Sequence, residues 1–179
     1  MTRSMGRSCH DSVSVTDVVT RVAMTYQPVR PWREHWRRVE RYHLRVRAIY
    51  DGTAPGNSED WKDVIFDFFV AAHHLFEWIE SDPREPLVVA PVAREWVKAD
   101  QSLWLAREFS NTYKHHTRST GVPVRIGGTI TERGQNSMVI EWLDPISGVP
   151  NAIDALDLAD RCMQAWRNFF VLHGLNPAG

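Results

Sequence analysis

The stretch from about Glu59 to Glu80 constrains this chain more than any other. Ile65, Phe68, Ala72, Leu75 and Ile79 recur at three- and four-residue steps, the period of one helix face. Trp61, Phe69 and Phe76 widen that face beyond what a single neighbour can cover. A helix apolar around so much of its circumference needs several elements packed on it, so the segment predicts the centre of a helical bundle.

The flanking sequence supplies the neighbours. From Pro31, Trp32, Trp36, Val39, His43, Val46 and Tyr50 mark a first helix that Gly52 stops, and Ala54 to Ser58 reads as a loop in which Asn57 or Ser58 caps the central helix. After the SDPREP break, Pro91 opens a short helix through about Lys98, and Asp100 caps a fourth from about Gln101 to His116, with Leu103, Trp104, Phe109 and Tyr113 as core contacts. Thr117 to Gly121 ends it. Val122 to Arg133 and Ser137 to Leu143 are β-biased and read as a hairpin joined by Gly134, Gln135 and Asn136, with Gly127 and Gly128 at a bulge. Asp144 to Asn151 is a turn cluster, and residues from Ile153 to Leu172 predict a final amphipathic helix ending before Gly174. The expected fold is therefore mainly α: a bundle of four to five helices with an appended β-hairpin at about 122–143, in one domain of residues 24–179. Residues 1–23 have no aromatic anchor and predict a mobile extension, and Met24 serves equally well as a start.

With 43% hydrophobic and 24% charged residues, disorder and membrane spanning are both poor descriptions of this chain. Its best apolar run, Val64 to Val70, is interrupted by Asp67 and falls far short of the roughly 20 residues of a spanning helix. Cys9 and Cys162 form no metal spacing, and the N-terminus lacks the apolar core of a signal peptide, which points to a reducing cytoplasm. The net charge of −1 conceals a split, with ten Arg and four acids in residues 1–50 against four bases and eleven acids in residues 51–100. An antiparallel helix pair with attracting polar margins is the expectation. The eight tryptophans stand mostly where helices pack and read as core. Nothing matches GxGxxG, GxxxxGK[ST], GxSxG or HExxH, so nucleotide-fold enzymes and familiar hydrolases are unsupported.

Chemistry concentrates in residues 106–118, AREFSNTYKHHTR. On a helix, Arg107, Asn111 and His115 form one stripe about 12 Å long. A guanidinium grips a phosphate bidentately, an amide orients it or a water, and an imidazole exchanges protons near neutral pH, with Lys114 adding charge. The competing structural reading pairs Arg107 with an acid of the central helix, packs Asn111 between helices and lets the cations favour the helix C-terminus. A rival constellation lies on the central helix, where His73 and His74 stand at i,i+4 and i,i+3 to Glu77. With His115 or His116 they would make a His-rich site for a divalent metal ion.

The phrase from Arg107 to His115 resembles the Arg-Asp-x-Ala-Asn-x-x-Lys-His signature of a group of uncharacterised bacterial and phage proteins. His73-His74-Leu75-x-x-Trp78 and Asp154-Ala155-Leu156-x-Leu158-Ala159 with Trp166 and Phe170 extend the likeness over about residues 30–175. More distantly, the phrase is similar to the HEPN superfamily of helical-bundle nucleic-acid proteins. That resemblance implies a four- or five-helix bundle, dimerisation as a homodimer, RNA as partner and, in active members, a metal-independent endoribonuclease needing no cofactor. It would give His115 the acid/base role, Arg107 the phosphate, Asn111 orientation and Lys114 auxiliary charge. The spacing departs from the superfamily pattern: seven residues separate Arg107 from His115, and Ser110 stands directly before Asn111 where an Arg is usual. The functional expectations are thus an RNA-directed HEPN-like protein, a metal-dependent enzyme using His73, His74, Glu77 and His115, or a non-catalytic interaction module in a phage or defence setting.

Overall fold

The computed structural model describes residues 31–85, 89–114, 122–132 and 135–178. In chain order they form α1 (Trp32–Tyr50), α2 (Ser58–Ser81), α3 (Val89–Ala99), α4 (Gln101–Lys114), β1 (Val124–Glu132), β2 (Gln135–Leu143), β3 (Pro150–Asp154) and α5 (Ala155–Leu172). The expected extension at 1–23, the end of the fourth helix from His115 to Gly121 and the turn at Gly134 lie outside the described residues.

The central helix is where its seam requires it to be, with α1, α3, α4 and α5 all packed against α2. Ile65, Phe68, Phe69, Ala72 and Leu75 are fully buried there. Asn57 starts α2 by accepting from the Glu59 and Asp60 amides, while the Asp60 carboxylate accepts from the Asn57 N–H at 2.8 Å, a reciprocal capping box. Asp100 caps α4 through the amides of Ser102 and Leu103. Pro31 gives α1 no side-chain cap, and a carboxylate distant in sequence does the work instead: the Trp32 N–H donates to Asp82 in the loop after α2. Hydrogen bonds from Arg84, and the one from Trp32, hold the Asp82 carboxyl down at about 2 against the opposing effect of burial.

The tryptophans behave mainly as core. Trp32 and Trp36 each bring their rings within 4.9 Å of Phe170, and the Trp166 indole donates to the Ala72 carbonyl. Burying such rings stabilises by roughly 2–3 kcal/mol each. His35 ties α1 to α2 by donating Nε2–H to the Ala71 carbonyl at 2.8 Å, with its ring stacked on Trp78.

The β-hairpin is in fact part of a three-stranded antiparallel sheet in the order β1-β2-β3. Residues 150–154, expected to finish a turn and begin the last helix, instead pair with β2 from Leu143↔Pro150 to Val139↔Asp154, and α5 starts at Ala155 rather than Ile153. The Asp144 carboxylate closes the connecting turn through the Ile146 and Ser147 amides, and Gly148 turns it at φ +68°. The bulge at Gly127 and Gly128 is present as a register shift between Ile126 and Thr129. A Cβ on Gly127 would stand 2.7 Å from the Glu141 carboxylate, so a larger residue there would have to push that flexible side chain aside. The sheet is fastened at the Tyr50 hydroxyl, which accepts from the Met138 and Leu156 amides and lies 3.0 Å from Asp154, itself the N-cap of α5.

Candidate anion-binding cleft

A cavity of about 260 Å³ opens between α2, α3 and α4, lined by His73 and Phe76 from α2, Arg94 and Lys98 from α3, and Arg107 and Asn111 from α4. Each side chain arrives there for a local reason. Leu103, Ala106, Phe109 and Ser110 turn inward on α4, which leaves Arg107 and Asn111, one turn apart, along the edge facing α2 and α3. Arg94 and Lys98 stand at i,i+4 around the buried Ala93 and Val97. His73 is buried on α2, with its ring 5.3 Å from Phe76.

The cations of the cleft differ in how far they are already engaged. Arg94 binds Glu80 through two hydrogen bonds of 2.9 and 2.6 Å, and Lys98 binds Glu95 at 2.6 Å. The Lys98–Glu95 pair is exposed on both sides, where such a contact is worth under about 1 kcal/mol and exchanges readily for another anion, whereas the Glu80 carboxylate that grips Arg94 bidentately is mostly buried and holds it more firmly. Arg107 has only a 3.7 Å electrostatic contact to Glu108, whose buried carboxylate already accepts from the Val122 amide. Among the described residues, no hydrogen bond engages the Arg107 guanidinium or the Asn111 amide. Five guanidinium N–H donors and an amide are therefore available toward one small cavity.

The structure thus unites part of each sequence constellation. His73, expected only in the metal grouping, shares the cleft with Arg107 and Asn111. His74 does not line it: its Nδ1–H donates to Glu77 at 3.1 Å on the outer side of α2, with the His73 and His74 rings 5.0 Å apart. Glu77 is therefore turned to His74, and among the described residues no group of three His, Cys, Asp or Glu side chains converges to hold a metal. Lys114 ends α4, while His115 and His116 lie outside the described residues. Arg107 finds its nearest carboxylate in its neighbour Glu108 rather than on α2.

Sequence reasoning missed Arg94 and Lys98. Their i,i+4 spacing on a short helix was the available signal, but nothing local says which helix they face. It also missed the pairing of His43 with Asp160, 2.6 Å apart across α1 and α5, where Arg47 adds two further hydrogen bonds to the same carboxylate. Burial lowers the His43 pKa despite Asp160, and the Arg47 and His43 hydrogen bonds outweigh desolvation to lower that of Asp160, so a neutral ring donates to a carboxylate. A cavity of about 490 Å³ at the sheet contains none of these groups, and its one guanidinium, Arg125, is taken by Glu141 at 3.0 Å.

No helix among the described residues is long and apolar enough to cross a membrane. Comparison with protein-family models, with curated proteins and with solved structures yields no match to this chain.

Proposed function

We propose that this protein acts on RNA, holding a phosphodiester of the strand in the α2–α3–α4 cleft. The observation that carries the reading is the pair Arg107 and Asn111, one helical turn apart and free of hydrogen bonds among the described residues, facing a cavity that Arg94 and Lys98 also line. A guanidinium fork and an amide suit two phosphate oxygens, Lys98 can exchange its exposed Glu95 partner for the added negative charge, and Arg94 adds positive potential from its pair with Glu80. Supporting the same reading is the resemblance of the α4 phrase to HEPN proteins. Cleavage needs in addition a group that moves a proton between the 2′-hydroxyl and the leaving oxygen. His115 holds that role in the HEPN-like reading, and the His73 imidazole lines the same cleft.

Fluorescence anisotropy with a labelled single-stranded RNA, alongside a cleavage gel in EDTA, tests this directly. Arg107→Ala is expected to weaken binding about tenfold or more, and His115→Ala to abolish cleavage while leaving binding in place. Equal RNA affinity in the wild type and in Arg107→Ala would overturn the cleft assignment. Cleavage that survives His115→Ala would remove the catalytic role of that residue.

A further inference from the structure

We infer that the outer face of α1 is a second phosphate track, onto which a single-stranded RNA runs from the cleft by way of α2. This rests on the RNA reading above. Arg37, Arg38, Arg41 and Arg45 are all exposed on α1, Arg37 and Arg38 side by side and Arg41 and Arg45 following at four-residue steps from Arg37, over about 12 Å of one strip of the helix. The arginines at the two ends of the helix are committed elsewhere. Arg33 donates to Glu85 at 2.8 Å and to the Asn176 carbonyl, and Arg47 is held by Asp160. By contrast, among the described residues none of the middle four makes a hydrogen bond or a salt bridge.

The attraction expected between the basic α1 and the acidic α2 is almost wholly missing. The two helices do run antiparallel, since Trp32, His35 and His43 meet Asp82, Ala71 and Phe68 in turn. Yet the α2 carboxylates turn to other partners: Glu59 to Lys62, Glu77 to His74 and Glu80 to Arg94. Asp67 feels Arg45 at longer range, and among the described residues Glu34 and Glu40 of α1 itself form no salt bridge. Like charges at these spacings repel and weaken a helix. Their retention on one exposed face is what a polyanion-binding surface requires.

The face connects to the cleft through aromatic and cationic side chains. The Arg38 guanidinium sits over Trp78 at 5.9 Å, His74 lies on the same outer side of α2, and its ring touches His73, which lines the cleft. A path that crosses from α1 over α2 past the partly buried rings of Trp78 and His74 suits a flexible single strand, which follows a positive surface and stacks on aromatics within its reach.

The test is anisotropy titration of a fluorescein-labelled RNA of about 20 nucleotides, long enough to span both sites, over a range of salt concentrations. The proteins are wild type, Arg107→Gln, and Arg37→Gln/Arg38→Gln/Arg41→Gln, each checked for fold by circular dichroism. The triple variant is expected to bind at least tenfold more weakly and to lower the slope of log K against log salt by about 2, three contacts at about 0.7 each. Unchanged affinity and slope in the triple variant, with Arg107→Gln impaired, would overturn the track and leave the cleft reading standing. Impairment in the triple variant alone would support the track and overturn the cleft. A wild type that ignores RNA but sediments with phosphatidylserine vesicles would overturn both.

Discussion

The anchors around α1 and the cleft beside α4 use similar side chains to opposite ends. At the anchors every carboxylate is saturated: Asp82 takes the Trp32 amide and Arg84, Asp154 takes the Leu156 and Asp157 amides and the Ser137 hydroxyl, and Asp160 takes His43 and Arg47. In the cleft, Arg107 and Asn111 are left open among the described residues. A saturated polar group reports on the fold, because removing its partner leaves a desolvated charge or dipole. An open one reports on something outside the fold. The contrast therefore predicts that anchor substitutions cost stability and that cleft substitutions cost binding.

The largest effect belongs to His35. Its Nε2 donates to Ala71, its Nδ1 is buried without a partner, and burial lowers its pKa from 6.5 to about 4. Above pH 6.5 both folded and unfolded chains hold the ring neutral and the contribution is intact. As pH falls from 6.5 toward 4 the unfolded chain takes up the proton first, so stability drops by about 3 kcal/mol. Burial of His43 acts in the same direction. Urea denaturation at pH 7 and pH 4.5 should show the loss, and a His35→Gln variant should lose less. Identical losses in the two proteins would exclude His35 as the cause.

Next comes Asp154→Ala, which removes the α5 cap and the carboxylate beside Tyr50 together and should cost about 2 kcal/mol by the same denaturation measurement. Asp160→Asn should cost at most about 1 kcal/mol, because the carboxylate is partly exposed and the amide still accepts one hydrogen bond. Asn111→Ala should be smallest, within about 0.5 kcal/mol of wild type in stability, while lowering RNA affinity. A stability loss above about 1 kcal/mol there would place Asn111 among the anchors and dissolve the contrast.

The bundle was legible because its signals are local. The α2 seam, the Asn57 and Asp100 caps and the Gly127–Gly128 bulge all follow from neighbouring residues, and the structure carries each of them. The strand at 150–154 was not legible: five residues with Pro and Asn at their start have little β character alone and acquire it by pairing with β2. The candidate site was half legible. Arg107 and Asn111 stood out by spacing, but Arg94, Lys98 and the entry of His73 into the same cleft depend on how α3 and α4 fold back on α2.

By itself the sequence determined which segments are helices, which caps start α2 and α4 and which helix lies at the centre, because periodicity and capping act within a few residues, while α3 opens at Val89 ahead of Pro91 and α5 at Ala155. Only the tertiary structure decided which charges meet. It sent Arg33 and Arg47 to carboxylates in other elements and left Arg37, Arg38, Arg41 and Arg45 outward. It also split His73 from His74 between a cleft and an outer face. Charge attraction between helices depends on the rotation and approach of each one. Those are set by the packing of rings such as Trp32, Trp166 and Phe170, and not by the charges themselves.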